Sequence, residues 1–373
     1  MTVLTGARVV TPSGVLDDGW VRVDASTGRI DAVGSGALPA GERQPVSGWL
    51  LPGFIDVHVH GGGGYDFTAS ADDLAGGVAF HRRHGTTGTV VSLMAGPVDA
   101  MCEQLGWVTE LARDGAVLGA HLEGPFLAPG RCGAQNPAHL LAPDLPMLGK
   151  LLDAGQGFVR TMTVAPELDG AGALIGEAIR AGVIAAIGHT TATYEQARAG
   201  FDAGANLATH LFNAMGPISQ RAPGPAIAAL DAGGYLELIN DGVHVHESLV
   251  RLVARLAPDR LVLITDSISA AGMTDGHYWL GDRDVHVTGG RAQLEPGGAL
   301  AGSTLTMAAA VRHAVDGVGL PIELAAAAAA TNPAALLGLS GDRGAIASGL
   351  RADLVLLDDR LAVDKVMVAG SWI

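Results

Sequence analysis

The chain has 373 residues, of which 38 are acidic and 23 basic, for a net charge of −15, with 48% apolar and 4% aromatic residues. That length buries a large core and excludes disorder; the prior is roughly two domains, although an α/β barrel uses about 250 residues as one. Two cysteines, Cys102 and Cys132, make no disulfide framework. The acidic balance argues against generic nucleic-acid binding, and no stretch approaches the ~18 uninterrupted apolar residues of a membrane span. The first residues lack the basic start and apolar run of a secretory signal, so the expectation is a cytoplasmic protein.

Residues 1–49 read as short strands broken by turns, at 7–10, 19–23 and 28–33, and the last residues repeat that character at 352–357, 363–368 and 370–373. The two ends, 1–49 plus 345–373, are predicted to form one small β-sandwich domain. Between them, over 50–344, apolar runs recur at 54–57, 89–93, 117–122, 159–164, 183–187, 205–209, 235–239 and 261–264. The segments separating them are amphipathic and helix-like, as at 72–83 and 171–180. Strands buried on both faces need not alternate in polarity, so eight apolar runs alternating with helices predict an α/β fold, a TIM-like (β/α)₈ barrel. A doubly wound open sheet is the rival topology. The six alanines Ala325 to Ala330 read as one side of a surface helix.

Polar residues collect where these strands end, the face on which a barrel carries its active site. The first ends Asp56-Val57-His58-Val59-His60, whose histidines are two apart and so share a strand face, where both imidazoles can reach one metal. The third ends His121-Leu122-Glu123-Gly124-Pro125-Phe126, the fifth Gly188-His189-Thr190, the sixth Thr209-His210-Leu211-Phe212-Asn213, the seventh Asn240-Asp241-Gly242-Val243-His244 and the eighth Thr265-Asp266-Ser267. A single histidine is more often a hydrogen-bonded structural residue than a ligand. Their shared placement instead indicates a hydrolytic metal centre, in which a divalent ion lowers the pKa of water and polarises a carbonyl. His81, His84, His139, His246, His277, His286 and His313 fall outside that constellation and are expected to be solvated or structural. His121 is left open, being placed to support Glu123 from the same strand face.

These segments, with His210-Leu211-Phe212-Asn213-Ala214-Met215 and Leu300-Ala301-Gly302-Ser303-Thr304, resemble the amidohydrolase superfamily and, within it, the N-acetylglucosamine-6-phosphate deacetylases. The resemblance spans essentially the whole chain. It implies that Glu123, His189 and His210 ligate one metal, that His58 and His60 supply a second site with Glu123 able to bridge, and that one or two divalent ions bind per subunit. Zinc is the leading identity on ligand type, with iron and other divalent ions open. Asp266 would accept a proton from the attacking water and pass it to the sugar nitrogen, a role worth roughly 10²- to 10⁴-fold.

The resemblance assigns substrate contacts to Gln135, Asn213, the Ala214 backbone, His244 and Gly302. It also assigns a phosphate contact to Arg221, delivered across the interface of a homodimer. Gln135 stands where some relatives carry a histidine near the scissile amide; it can donate a hydrogen bond but cannot titrate. Cys132, in the same loop, reads as an ordinary thiol unless the loop closes on the site.

Three alternatives remain at this level. Amidohydrolases of the dihydroorotase or hydantoinase kind bridge two metals with a carboxylated lysine, yet the only lysines, Lys150 and Lys365, are not at barrel strand ends. A deacetylase of the galactosamine epimer would differ by a few hydroxyl contacts. A barrel that had lost its chemistry would lack several of these groups.

Overall fold

The computed structural model describes residues 1–295 and 298–373. Eight parallel strands form one sheet in sequential order: β1 Phe54–Val59, β2 Thr86–Met94, β3 Gly119–Glu123, β4 Val159–Val164, β5 Ile184–Ile187, β6 Leu207–Ala208, β7 Tyr235–Ile239 and β8 Leu261–Ile264. Each predicted apolar run therefore overlaps a barrel strand. The sheet closes on itself just beyond β8, where the Asp266 amide donates to the His58 carbonyl (2.8 Å) and the His60 amide to the Ser267 carbonyl (2.9 Å). That closure and the sequential order replace the open-sheet alternative with a (β/α)₈ barrel.

The expected helices lie at Ala71–Arg83 and Ala171–Arg180. The first starts on Ser70, whose side chain accepts from the Asp73 amide, and runs through acidic Asp72 and Asp73 to basic Arg82 and Arg83, matching the helix dipole at both ends.

The two chain ends meet in a pair of sheets. Leu354–Leu357 pairs antiparallel with Trp49–Pro52, so the six-stranded sheet combines strands from both termini, while Thr2–Thr5, Gly19–Asp24, Arg29–Ser35 and Glu42–Pro45 make a four-stranded one. Leu4, Val21, Val23, Ile30, Leu50, Leu354 and Met367 form the apolar layer they share.

Two features depart from the sequence reading. The alanine run is not a surface helix. Ala325, Ala326, Ala328, Ala329 and Ala330 are all at most 2% exposed, and the helix widens to a π turn over Ala327–Thr331. Methyl side chains are small enough for this segment to lie close against the barrel, so the run is low in bulk because it is buried. A three-stranded antiparallel insert, Gly276–Leu280, Arg283–Thr288 and Arg291–Gln293, follows β8 and carries Leu280 over the barrel mouth.

Candidate active site and metal centre

The strand ends aim their polar side chains by a sharp change of backbone. His189, His210 and Asp266, which follow β5, β6 and β8, have φ of 45°, 30° and 47°. Non-glycine residues take this left-handed conformation at a cost and persist in it where surrounding structure holds them, often at functional sites. His58 and His60 instead alternate with apolar residues along and just past β1, as their spacing predicts.

Two groups of ligating side chains result, His58 with His60 and Asp266, and Glu123 with His189 and His210, all buried. Glu123 lies between them. Its Oε1 is 3.0 Å from His189 Nε2, 3.2 Å from His210 Nε2 and 3.3 Å from His58 Nε2, while its Oε2 is 3.3 Å from His60 Nε2. Asp266 Oδ1 is 3.3 Å from His60 Nε2 and 3.6 Å from His58 Nε2, so the residue expected to move protons also completes the second group.

The donor set fits divalent metal. His189 Nδ1 faces the Arg131 carbonyl at 2.9 Å, an acceptor, so Nδ1 carries the proton and the Nε2 lone pair points at Glu123 and at His210 Nε2, 2.9 Å away. His58 Nδ1 faces a Glu237 carboxylate oxygen at 3.1 Å, leaving its Nε2 lone pair toward Glu123, Asp266 and His60 Nε2, 3.2 Å away. Lone pairs converging in this way repel unless positive charge lies among them. Imidazole and carboxylate donors in groups of three suit zinc-like ions.

The electrostatics show that the carboxylates here draw positive charge onto the imidazoles, as a proton or as a cation. Burial opposes charge at all of these groups, yet Asp266 and Glu123 hold His58 well above the usual imidazole range and raise His60 to about 9. Against the same burial, His58, His189 and His210 keep Glu123 well below the usual carboxylate range, and His58 and His60 keep Asp266 below it. His121 goes the other way, pushed well down by burial and then by His58. It is held between Ser92 Oγ (2.9 Å) and Thr163 Oγ1 (2.7 Å), a buried neutral support for the site.

Above the clusters lies a cavity of about 370 Å³ whose wall includes Gln135, Asn213, Ala214, His244, Asp266 and Gly302. Each is positioned by local bonds. Gln135 Oε1 accepts from the Ala95 amide (2.9 Å) and Nε2 donates to Glu123 Oε2 (2.6 Å), so one of its N–H groups braces the carboxylate. His244 Nδ1 bonds Asp241 Oδ2 at 2.6 Å, and Asn213 Nδ2 donates to the His210 and Leu211 carbonyls. Gly302, at φ 60°, lies so close to Asp266 that an added Cβ would be 2.6 Å from its carbonyl oxygen.

Cys132 and Arg131 also line this cavity, whereas Arg221 is exposed on the loop before the Gly224–Ala232 helix and does not. A larger neighbouring cavity, about 750 Å³, shares Met94 and Leu280 with it but contains no member of either buried group.

Among the remaining histidines, His81 is buried and bonds the Gly61 carbonyl at 2.8 Å, while His277, His286 and Asp284 form a third, largely exposed trio on the insert. Sequence reasoning missed Glu237. Its signal was a carboxylate in the middle of an otherwise apolar strand, Tyr235-Leu236-Glu237-Leu238-Ile239.

A barrel with histidines and acids at its strand ends, converging on a metal-competent centre, defines a class of metal-dependent hydrolases. The chain belongs to the amidohydrolase family, whose model matches residues 49–373, and to its branch of N-acetylated amino-sugar-phosphate deacetylases. It is 36% identical over 375 residues to an N-acetylgalactosamine-6-phosphate deacetylase of Escherichia coli O157:H7, covering 99% of this chain and 98% of that one. It is 35% identical over 350 residues to the human N-acetylglucosamine-6-phosphate deacetylase, covering 90% and 86%. Among solved structures, an aspartate-to-alanine variant of the Mycobacterium smegmatis N-acetyl-D-glucosamine-6-phosphate deacetylase, in complex with N-acetyl-D-glucosamine-6-phosphate, superposes with a TM-score of 0.96. The identity is 45%, with 100% of this chain and 98% of that one covered.

Proposed function

We propose that the protein hydrolyses the N-acetyl amide of N-acetylglucosamine 6-phosphate to glucosamine 6-phosphate and acetate. The observation that carries this reading is the convergence of Glu123 and four histidine Nε2 atoms beneath a cavity with Asp266 in its wall. Glu123, His189 and His210 would hold one divalent ion, and His58, His60 and Asp266 a second; bound there, such an ion would supply Lewis acidity and lower the pKa of water. Zinc is the ion best matched to this nitrogen and oxygen set.

The chain's own groups do the rest. Asp266 takes the proton of the attacking water and delivers it to the departing sugar nitrogen, which must leave as an amine. Glu123 keeps its orientation because Gln135 donates to one of its oxygens, and the second Gln135 N–H is free to meet the substrate carbonyl. Asn213, the Ala214 backbone, His244 and Gly302 line the path of the sugar.

A cationic side chain suits the phosphate. Arg221 supplies it from the neighbouring subunit of a homodimer, and the reaction takes place in the cytoplasm. The 36% identical galactosamine relative favours one second reading, the 4-epimer as substrate, which would differ at the contacts to a single hydroxyl.

The test is acetate release from both sugar phosphates by metal-analysed protein, wild type against Asp266→Asn. Activity on the glucosamine substrate, lost in the variant while the ion at Glu123, His189 and His210 stays, supports reaction and role together. A metal-loaded wild type inactive on both sugars refutes the substrate assignment.

A further inference from the structure

Glu237 is 1% exposed, in the middle of β7, and lies outside the cavity wall. One of its oxygens does two things. Oε2 accepts from His58 Nδ1 at 3.1 Å and from the His210 backbone amide, also at 3.1 Å. Its backbone carbonyl accepts the next amide, that of Leu211, at 2.8 Å. Placing a carboxylate inside a barrel is expensive unless it is hydrogen-bonded and its charge serves something.

What it serves can be read from the two groups it holds. A carboxylate facing Nδ1 accepts the ring proton there, which fixes the His58 tautomer and leaves the Nε2 lone pair toward His60, Glu123 and Asp266. A histidine ligand braced through its other nitrogen by a carboxylate is better oriented and more basic than one without. The contrast within the site is informative: among the described residues, His60 and His210 have no partner at Nδ1, whereas His58 has Glu237. The His210 amide belongs to a residue at φ 30°, and the bond to Oε2 helps keep that strained turn. A single buried oxygen thus ties one histidine of each metal-competent group to the same point on β7.

We propose that Glu237 is a positioning residue that makes His58 a competent ligand, so that the group formed by His58, His60 and Asp266 fills with a second divalent ion. This rests on the reading of the site as a metal centre. Two consequences separate it from a merely structural role. Weakening Glu237 should lower affinity at the second ion far more than at the first. The loss should also be graded with how much of the carboxylate is retained.

The experiment compares wild type, Glu237→Gln and Glu237→Leu. Each is stripped of metal and dialysed to equilibrium against zinc buffered at graded free concentrations, with bound ions per chain counted by mass spectrometry and the melting temperature of each metal-free protein recorded. Wild type is expected to take two ions. Glu237→Gln, which keeps an acceptor but loses the charge, should bind the second about 10- to 100-fold more weakly while the first changes little. Glu237→Leu, with no acceptor, should bind the second more weakly still.

Equal affinities in wild type and Glu237→Gln would overturn the proposal. So would an equal weakening of both ions that tracks a fall in metal-free melting temperature, which marks a structural role. If Glu237→Leu does not fold, Glu237→Gln alone decides. A wild type that binds one ion and still deacetylates would also overturn it, yet would leave the proposed reaction standing.

Discussion

Replacing Gly302 with alanine separates two explanations of the same residue. If Gly302 serves the substrate by letting its backbone approach the sugar, the methyl group obstructs binding and raises KM. The structure adds another function. At φ 60° an alanine costs about 1–2 kcal/mol relative to a favoured backbone. Its Cβ would also meet the Asp266 carbonyl oxygen at 2.6 Å and Ile268 Cγ2 at 2.7 Å, closer than real Cβ contacts allow. That carbonyl accepts the Ser303 amide at 2.8 Å, so the strain falls on the segment that presents Asp266.

Together these effects should destabilise the fold by roughly 2 kcal/mol, a fall in melting temperature of about 3 °C or more. If Asp266 carries the proton as proposed, displacing its carboxylate by even part of an ångström should reduce kcat, with about 10²-fold the scale for a 1 Å misplacement. Calorimetry and steady-state acetate release on one metal-loaded preparation read both. An unchanged melting temperature together with unchanged kcat would refute the argument, and a rise in KM alone would return Gly302 to the substrate.

Further outcomes follow from other parts of the molecule. Titrating metal-free protein with zinc should raise its melting temperature, because an ion at 100 times its Kd adds about 2.7 kcal/mol, and a chelator should reverse it; no shift would remove the metal centre. Mixing Asp266→Asn with Arg221→Ala, each weak alone, should restore activity if Arg221 crosses the dimer interface, because hybrid dimers contain one site with both residues intact; no recovery in exchanged subunits would place phosphate recognition within one chain. Ala329→Leu should destabilise by about 1–3 kcal/mol by overfilling a packed interior, whereas a surface helix would tolerate it within about 0.5 kcal/mol.

His81 gives a pH signature. Burial lowers its pKa to about 4, so between there and the ordinary 6.5 the unfolded chain binds a proton that the folded one does not. Its share of stability is complete above about pH 6.5 and is lost as pH falls toward 4. His81→Gln should therefore flatten the acid limb of the stability curve by up to one proton; an unchanged slope would mean that His81 is charged when folded.

The barrel was legible because its signal is local. Strands covered on both faces are largely apolar, and residues 159–164, 235–239 and 261–264 coincide with their strands at both ends. Where the signal failed, the deciding fact was tertiary. A run of alanines has the same composition on a surface helix and on one pressed against a barrel, and only the neighbours tell which; Ala328, Ala329 and Ala330, all 0% exposed, show the second case. The antiparallel insert after β8 lacks the barrel's unbroken apolar pattern, since Gly276–Leu280 alternates half-buried with exposed residues and buries only Leu280.

The same distinction divides the site. His58 and His60 announce themselves because a period of two places them on one face, and His189, His210 and Asp266 because they end apolar runs. Glu237 has neither signal: it sits inside a strand, where a lone carboxylate looks like an error in an apolar pattern. Its partners, His58 and the His210 amide, are 179 and 27 residues away in sequence and meet it only because β1 and β6 belong to the same closed barrel as β7. Candidate ligands project from strand ends and can be read in series, whereas the groups bonded to them act across strands. A polar residue in the interior of an otherwise apolar barrel strand is therefore best read with the neighbouring strand ends: its burial is tolerable when it bonds a side chain or a backbone amide there, and Glu237 bonds both through one oxygen.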